Sequence, residues 1–415
     1  MVMKNSLKTA ILAFLILLGF SLSFFGAFNA KNIDNLAYVV ALGLDVGETN
    51  NLKLSLQIAI PSDSSSMSGS EQSSDSIVNS VECSSIESGI TLFNSYISKQ
   101  IDLSHCKVIV FSEKLAKLGI SEYLYTLMNN IQVQSEANIM VCKEDCSTFL
   151  KNSKPLLEKM SAKYYEIALN SSEYTGYTAN ITLGTFFSDY TDTFQEASAI
   201  LASVNTQNTQ DLEATQGSTN GNLDGNYTAG ETPIESKSNI ENMGLAVFRD
   251  DKMVGELTGM ETLCQLLLQN KMKSATITIP SPFEDDKIID LSITLNKRTK
   301  NTVKIVNGSP YITSKIVLAA RILSMDKNSD NLDKESIQKI EEYANQYLES
   351  NLLSFLYKTA KDFKADSVGF GKYAVHHFLT WDSWTNYDWL ANYENSFFDV
   401  EVDTKVKSGY LLMES

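Results

Sequence analysis

Metal-capable side chains occur at two places in this sequence of 415 residues. His105 stands beside Cys106, and Cys146 follows Cys142 after three residues. Structural zinc usually takes four ligands from two short-spaced pairs, and here the cysteine pair has no partner pair. The chain's five cysteines are also too sparse for a disulfide framework. We therefore predict no metal site and interpret the cysteines as buried or free thiols, with one optional bridge.

Acid–base and phosphate-binding motifs are scarce. His376 and His377 are adjacent in a strand-like run, Tyr373–Leu379, where neighbouring side chains face opposite sides of a sheet. Gly369-Phe-Gly371 is too short for a glycine-rich phosphate fingerprint and is interpreted as a turn. The acidic pairs Asp250-Asp251 and Asp285-Asp286 fall in predicted turns. We expect no catalytic residue, no enzyme activity and no cofactor.

Three tryptophans form the densest aromatic group. Trp381, Trp384 and Trp389 lie close together with Tyr387 and Tyr393. Such a group forms either a packed local cap or an anchor for a protein partner. The sequence favours packing and leaves a partner interface at Trp381, Trp384 and Trp389 open.

The amino-terminal segment determines where the protein is expected to lie. No charged residue occurs from Thr9 to Phe28, and Lys4 and Lys8 precede this stretch. About 20 apolar residues span a bilayer as a helix, and flanking lysines keep the amino end in the cytoplasm. A cleaved signal is the alternative, but cutting after Ala27 or Ala30 places a Phe three positions before the cut. We predict a single-pass membrane anchor with an extracytoplasmic body.

The charge balance limits the partners of that body. The net charge is −16, and residues 1–30 carry two lysines and no acid, so the remainder carries −18. Such a body repels phosphates, which argues against nucleic-acid binding.

Hydrophobic patterns predict a mixed α+β body of several domains. Residues 31–201 alternate strands, such as Leu36–Asp45, with helices, and they contain a flexible Ser-rich loop at 62–76. Residues 202–241 read as a disordered linker. Residues 242–280 are predicted to form a small central domain. In the carboxy-terminal α+β domain, 281–415, an antiparallel sheet is expected to pack on a long helix over Asp333–Phe363.

Four stretches of the chain resemble the Ger(x)C family, the C subunits of nutrient germinant receptors in endospore-forming bacteria. They are Ile33-Asp34-x-Leu36-Ala37 running to Gly43-x-Asp45, Ser112-Glu-Lys-Leu-Ala116, the turn Ala246–Gly255 followed by Glu261-Thr262, and Lys364–Gly371. Their order and spacing carry the resemblance, because no single one of them is specific.

The resemblance implies a non-catalytic, multi-domain extracytoplasmic protein. It would act with two integral-membrane receptor subunits in the inner membrane of the spore, where the complex senses nutrients and triggers germination. Family members usually begin with a lipid-modified Cys, but no Cys precedes Cys83 in this chain. A retained Thr9–Phe28 helix is the expected substitute, since a membrane helix holds more firmly than one lipid group. The alternative hypothesis is a membrane-tethered binding protein for a small solute or a cell-wall fragment.

Overall fold

The structure is a computed structural model, and it describes residues 12–19, 33–60, 76–153, 161–169, 172–205, 225–234, 240–284, 287–325 and 333–407. The strands are β1 (Leu36–Val46), β2 (Leu52–Ala59), β3 (Ser76–Cys83), β4 (Gln100–Asp102), β5 (Val108–Ser112), β6 (Asn138–Cys142), β7 (Ser198–Val204), β8 (Ile240–Arg249), β9 (Lys252–Leu257), β10 (Ala275–Pro280), β11 (Ile288–Val306), β12 (Ser309–Met325) and β13 (Phe397–Val406).

The helices are α1 (12–19), α2 (Ile86–Tyr96), α3 (Glu113–Leu118), α4 (Ser121–Asn129), α5 (Cys146–Asn152), α6 (Ser161–Leu169), α7 (Ser172–Thr175), α8 (Leu183–Thr191), α9 (Gly259–Gln269), α10 (Lys334–Tyr357), α11 (Gly371–Ala374), α12 (Trp381–Tyr387) and α13 (Trp389–Asn392). A π-helix, Lys358–Phe363, continues α10, and short 3-10 turns occur at Ile33–Asn35, Val375–His377 and Tyr393–Asn395.

The larger sheet has the order β3-β2-β1-β5-β6-β7-β8-β9, with β4 beside the start of β1. Its centre is parallel from β1 through β7, and both flanks are antiparallel. The central strands are continuous apolar runs, and every residue of β5 is buried. Such runs suit a parallel sheet that is covered on both faces.

The division predicted around residues 202–280 is wrong in two respects. Strands β8 and β9 complete the larger sheet, because β8 pairs antiparallel with β7, so 242–280 is no separate domain. The predicted linker is ordered in part: β7 runs to Val204, and residues 225–234 pack through a 3.0 Å hydrogen bond from Ala229 N to Met243 O. Residues 206–224 and 235–239 lie outside the described ranges, as do residues 62–75 of the predicted Ser-rich loop 62–76, whose last residue begins β3.

The smaller sheet confirms the predicted carboxy-terminal α+β region. Its order is β10-β11-β12-β13, antiparallel except for β13, which runs parallel to β12. The predicted long helix appears as α10 with its π-helical extension. Apolar residues of α10 at helical spacing, among them Ala344, Leu348 and Leu352, are buried against this sheet.

The predicted membrane anchor lies mostly outside the described residues. Residues 12–19 are helical, and their apolar side chains are exposed. Within the described ranges, no helix is both long and apolar enough to cross a membrane. The Thr9–Phe28 anchor therefore stays a prediction.

Candidate functional site at the junction of the two sheets

The two sheets meet where the segment entering β7 touches the segment that follows the π-helix. Glu196 N donates a 2.9 Å hydrogen bond to the backbone oxygen of Asp366. Gln265, on α9, links both sides, because it accepts from Ser367 Oγ at 2.9 Å and lies 3.5 Å from Ser198 Oγ. Two of the four stretches that carry the family resemblance lie in this junction or at the neighbouring β8–β9 turn: Lys364–Gly371, and Ala246–Gly255 with Glu261-Thr262.

Asp366 is the centre of the junction. Its side chain is fully buried, and Oδ1 accepts from Gly369 N at 2.8 Å while Oδ2 accepts from Gly371 N at 3.1 Å and Trp389 Nε1 at 2.9 Å. Burial raises the pKa of Asp366 to about 6, although these donors oppose the rise. With its oxygens occupied by the chain's own donors, the carboxylate acts as a structural cross-link between the Lys364–Gly371 turn and α13.

Two glycines let this turn approach the neighbouring segment closely. Gly369 has φ +85°, which favours glycine, and a Cβ there would lie 2.3 Å from Gln195 Oε1. A Cβ on Gly371 would lie 2.4 Å from the backbone oxygen of Phe194. The sequence prediction of a turn at Gly369-Phe-Gly371 is confirmed, and its glycines serve backbone packing.

The aromatic cluster packs on the same junction. Trp384 and Trp389 are each 2% exposed and stack with ring centroids 6.1 Å apart. Trp384 Nε1 donates to Thr193 Oγ1 at 3.1 Å, and Phe194 lies against its ring. The partner interface at Trp381, Trp384 and Trp389 stays a prediction, and two of its three tryptophans are buried in this conformation. Trp381, 59% exposed, is the member that a partner could touch.

A second buried carboxylate borders the junction. Glu196 is 5% exposed, and its Oε2 accepts from Asp250 N at 2.9 Å. Burial raises the pKa of Glu196 to about 7, with the nearby charges of Asp250 and Asp366 adding to the effect and Arg249 opposing it. Asp250 itself takes φ 54° at the β8–β9 turn, as the predicted turn requires. Glu196 therefore ties that turn to the sheet junction.

The π-helix joins α9 and β9 to the same region. Lys358 Nζ lies 2.8 Å from Glu261 Oε2 and donates to the backbone oxygen of Glu256 at 3.0 Å. Gly255 packs directly under Phe363, since a Cβ on Gly255 would lie 2.1 Å from the ring. This close contact explains a glycine within β9, where a side chain would displace the ring.

The remaining resemblance-bearing stretches meet at the far side of the larger sheet. Asp45 is 5% exposed, accepts from Cys146 N at 2.8 Å, and is hydrogen-bonded to Ser112. Ser112 also caps α3, because its side chain accepts a hydrogen bond from Leu115 N. The Gly43-x-Asp45 and Ser112–Ala116 stretches thus form one contact, which positions α3 and α5 on the sheet.

The strand predicted over Tyr373–Leu379 is wrong. Residues Gly371–Ala374 are α-helical and Val375–His377 form a 3-10 turn, because Asp366 holds the backbone of the preceding turn in a bent path. His377 Nε2 lies 2.6 Å from the backbone oxygen of Val303. In the described part of the chain, no three His, Cys, Asp or Glu side chains come together as a possible metal site. Asp285 and Asp286 lie outside it.

The site residues that sequence reasoning missed are those without a motif. Glu196 and Thr193 occur in an unremarkable stretch after α8, and only the fold places them against residues more than 150 positions away. Asp366 was within a resemblance-bearing stretch, but its burial has no local signal. The arrangement can fix one sheet relative to the other, and it offers no open group for acid–base chemistry.

Comparison with known protein families assigns the chain to a family through two consecutive matches. Residues 29–206 match the model described as "Spore germination protein N-terminal domain", and residues 243–409 match "Spore germination B3/ GerAC like, C-terminal". The chain belongs to the Ger(x)C family. The two Ger(x)C matches end and begin on either side of residues 207–242, and the junction described above joins them.

Individual relatives agree with this membership. The chain is 21% identical to spore germination protein GerQC of Bacillus cereus over 74% of this chain and 76% of that protein. It is 24% identical to spore germination protein KC of Bacillus subtilis, over 83% and 82% respectively. It is 19% identical to the putative spore germination protein YfkR of Bacillus subtilis, over 94% of each.

A solved structure shares the fold. The crystal structure of the GerBC protein superposes with a TM-score of 0.51 at 14% identity, covering 88% of this chain and 97% of that one. The mixed α+β architecture with two sheets is therefore that of GerBC. At this level of identity the likeness concerns the fold alone.

Proposed function

We propose that this protein is the non-catalytic, extracytoplasmic C subunit of a nutrient germinant receptor, attached to the inner membrane of the spore and acting with two integral-membrane subunits. The observation that carries the proposal is the tandem match to both Ger(x)C domain models, which together reach from residue 29 to residue 409. The relatives' names place them in spore germination.

Features of the chain fit this role. The uncharged Thr9–Phe28 segment after Lys4 and Lys8 would hold the acidic body outside the cytoplasm. The buried carboxylates of Asp366 and Glu196 accept hydrogen bonds from the protein's own N–H groups. We therefore infer that the junction holds the two sheets in a fixed relation and performs no reaction. A protein whose work is contact needs two domains held in fixed relation, and the Asp366 cross-link supplies that. The exposed Trp381 is the proposed point of contact with a partner subunit.

Gene deletion tests the proposal directly. Spores without the gene should fail to germinate with the nutrient that the receptor senses, and a wild-type copy at another locus should restore germination. Germination by a trigger that bypasses nutrient receptors is the control, and it should remain normal. Unchanged nutrient germination, in a strain that also lacks paralogues, would contradict the proposal.

Copurification tests the assembly. An epitope-tagged chain from detergent-solubilised spore membranes should bring down two integral-membrane proteins in equal amounts. If the tagged chain is purified in several mild detergents without any integral-membrane protein, the result would argue against the complex. The family membership would not be affected.

A further inference from the structure

Two buried cysteines lie side by side at the carboxyl end of β6, a central strand of the larger sheet. Cys142 ends β6 and Cys146 begins α5, and their Sγ atoms are 3.8 Å apart. Cys83 and Cys106 lie in one core cluster and Cys264 in another, both separate from the cluster that holds the pair, and no other two cysteine sulfurs are in contact in the described chain. The pair is thus distinguished by geometry as well as by its short spacing.

The fold holds Cys146 in this place through residues on β1. Asp45 Oδ2 accepts a 2.8 Å hydrogen bond from Cys146 N, which fixes the start of α5. A Cβ on Gly43 would lie 2.5 Å from Cys146 Cβ, so only glycine lets the cysteine approach the strand this closely. The Gly43-x-Asp45 stretch therefore builds the niche in which the two sulfurs meet.

The turn between the cysteines is fixed from the other side. Lys143 N donates to Ala202 O at 3.2 Å, and Glu144 Oε1 accepts from Val204 N at 3.1 Å. Both contacts anchor the turn on β7. The backbone is thus held in the conformation that brings the sulfurs together, so a bond between them needs little backbone movement.

Metal binding does not account for the pair. Within the described residues, no third potential ligand joins the two sulfurs to make a metal cluster. A disulfide, in contrast, needs only the two sulfurs, and they must close from 3.8 Å to about 2.05 Å. A side-chain movement of under about 2 Å achieves this.

We propose that Cys142 and Cys146 form an intrachain disulfide as the chain folds outside the cytoplasm. In the reaction one cysteine thiolate attacks a disulfide oxidant and forms a mixed disulfide. The thiolate of the second cysteine then attacks the mixed disulfide and releases the remaining half of the oxidant as a thiolate. The cysteine pair has then lost two protons and two electrons, and the oxidant has become two thiols. The compartment rests on the proposed function, since extracytoplasmic spaces favour such oxidation.

The timing follows from burial. Both thiols are buried, and burial raises the pKa of each, which suppresses the reactive thiolate in the folded chain. Oxidation should therefore occur before α5 packs on the sheet. Once formed, the bond ties the start of α5 to the end of β6 and is hidden from reductants.

The sequence allows a direct test by mass spectrometry. The full chain is reduced, unfolded, and refolded in detergent with oxidised and reduced glutathione, and its free thiols are then labelled with a maleimide under denaturing conditions. Three labels are expected before reduction and five after it, matching the five cysteines. Trypsin cleaves after Lys143, so a disulfide would join peptide 118–143 to peptide 144–151.

Three comparisons make the test decisive. The joined peptides should exceed every other cysteine pairing at least tenfold under folding conditions, and by a smaller factor in denaturant, where only the short chain distance between Cys142 and Cys146 favours their pairing. Cys142→Ser should leave all four remaining thiols open to labelling, whereas Cys83→Ser should keep the joined peptides. Five labels in the refolded wild-type chain, or a dominant pairing elsewhere, would overturn the proposal. Because germination is not measured, this result is independent of the proposed receptor role.

Discussion

The indole Nε1 of Trp389 donates a 2.9 Å hydrogen bond to Oδ2 of the fully buried Asp366. This bond ties α13 to the turn that follows the π-helix. The backbone oxygen of Asp366 in the same turn also accepts a hydrogen bond from Glu196 N, just before β7 of the larger sheet. Trp389 is thus an internal cross-link, in line with the packing role that the sequence favours for the aromatic group.

Replacing Asp366 by Ala should lower the free energy of unfolding by about 3 kcal/mol, because the N–H groups of Gly369, Gly371 and Trp389 would lose their acceptor in a buried site. Trp389→Phe keeps the ring but loses the donor, and about 1–2 kcal/mol is expected. Urea unfolding followed by circular dichroism measures both. Asp362→Ala, on an exposed residue nearby, is the matched control and should change little. Equal stabilities for the two Asp variants would contradict the proposed role of the cross-link.

A second set of side-chain contacts protects the free edge of β13. Oxygens of Glu341, Asn345 and Glu349 on α10 accept from the backbone N–H groups of Val406, Thr404 and Val402 at 2.8, 2.9 and 2.9 Å. Four helical residues advance about 6 Å and two strand residues about 6.6 Å, so the two repeats match. The helix therefore covers an edge that would otherwise pair with another strand.

The triple variant Glu341→Ala, Asn345→Ala, Glu349→Ala should lose about 2–4 kcal/mol of stability and self-associate, because each loss leaves a strand N–H unpaired. Sedimentation and light scattering report the association. The control triple, Glu342→Ala, Gln346→Ala, Ser350→Ala, alters the exposed neighbours on the same helix. Monomeric behaviour of the first variant at all concentrations would refute the edge-protection argument.

Much of this fold could be read from local patterns, whereas its junction could not. The apolar run of β1 is continuous and the apolar stripe of α10 repeats at helical spacing, and both patterns are properties of neighbouring residues. The membership of β8 in the larger sheet depends on pairing with β7 across a long connection, which has no local signal. The β-branched and aromatic run Tyr373–Leu379 favours a strand on local grounds, but the Asp366 turn that precedes it forces this segment into helical turns.

Stability should fall as pH rises from about 4 to about 7. Burial raises the pKa of Glu196 to about 7 and that of Asp366 to about 6, both above the usual carboxyl values of about 4 in unfolded chains. Between those values the folded protein binds more protons than the unfolded chain, so folding is favoured at the lower pH. The loss is on the order of 2 kcal/mol per group. Urea unfolding at four pH values measures the slope.

Glu196→Gln is the informative variant for that slope. It removes one of the two titrating groups but keeps an acceptor for Asp250 N, so the decline between about pH 6 and 7 should flatten. Glu82→Gln is the contrasting control. Three backbone N–H donors lower the pKa of Glu82 to about 2, so its contribution is lost only as pH falls below about 4.5. A slope between about pH 6 and 7 that Glu196→Gln leaves unchanged would contradict the assignment.

Gly255→Ala should destabilise the protein through the ring of Phe363. The added Cβ would lie 2.1 Å from that ring, and the ring is buried, so it must shift with its helix. A loss of about 2–3 kcal/mol is expected. In a double-mutant cycle, Phe363→Leu should cost less in the Gly255→Ala background than alone. Strict additivity would show that the two residues do not meet as described. Val254→Ala, at a partly exposed neighbour, is the control.

Trp381→Ala should impair nutrient germination without unfolding the protein, if the exposed tryptophan contacts a partner subunit. Its side chain is 59% exposed, so the change in unfolding free energy should be under about 1 kcal/mol. Trp384→Ala instead removes a buried ring and should cost about 3–5 kcal/mol, which lowers the amount of protein in the spore. Tyr96→Ala, at an exposed aromatic that ends helix α2, controls for surface change in general. The decisive measurement is the germination rate divided by the amount of protein in the spore membrane: a reduced ratio for Trp381→Ala alone supports the contact, and a normal ratio refutes it.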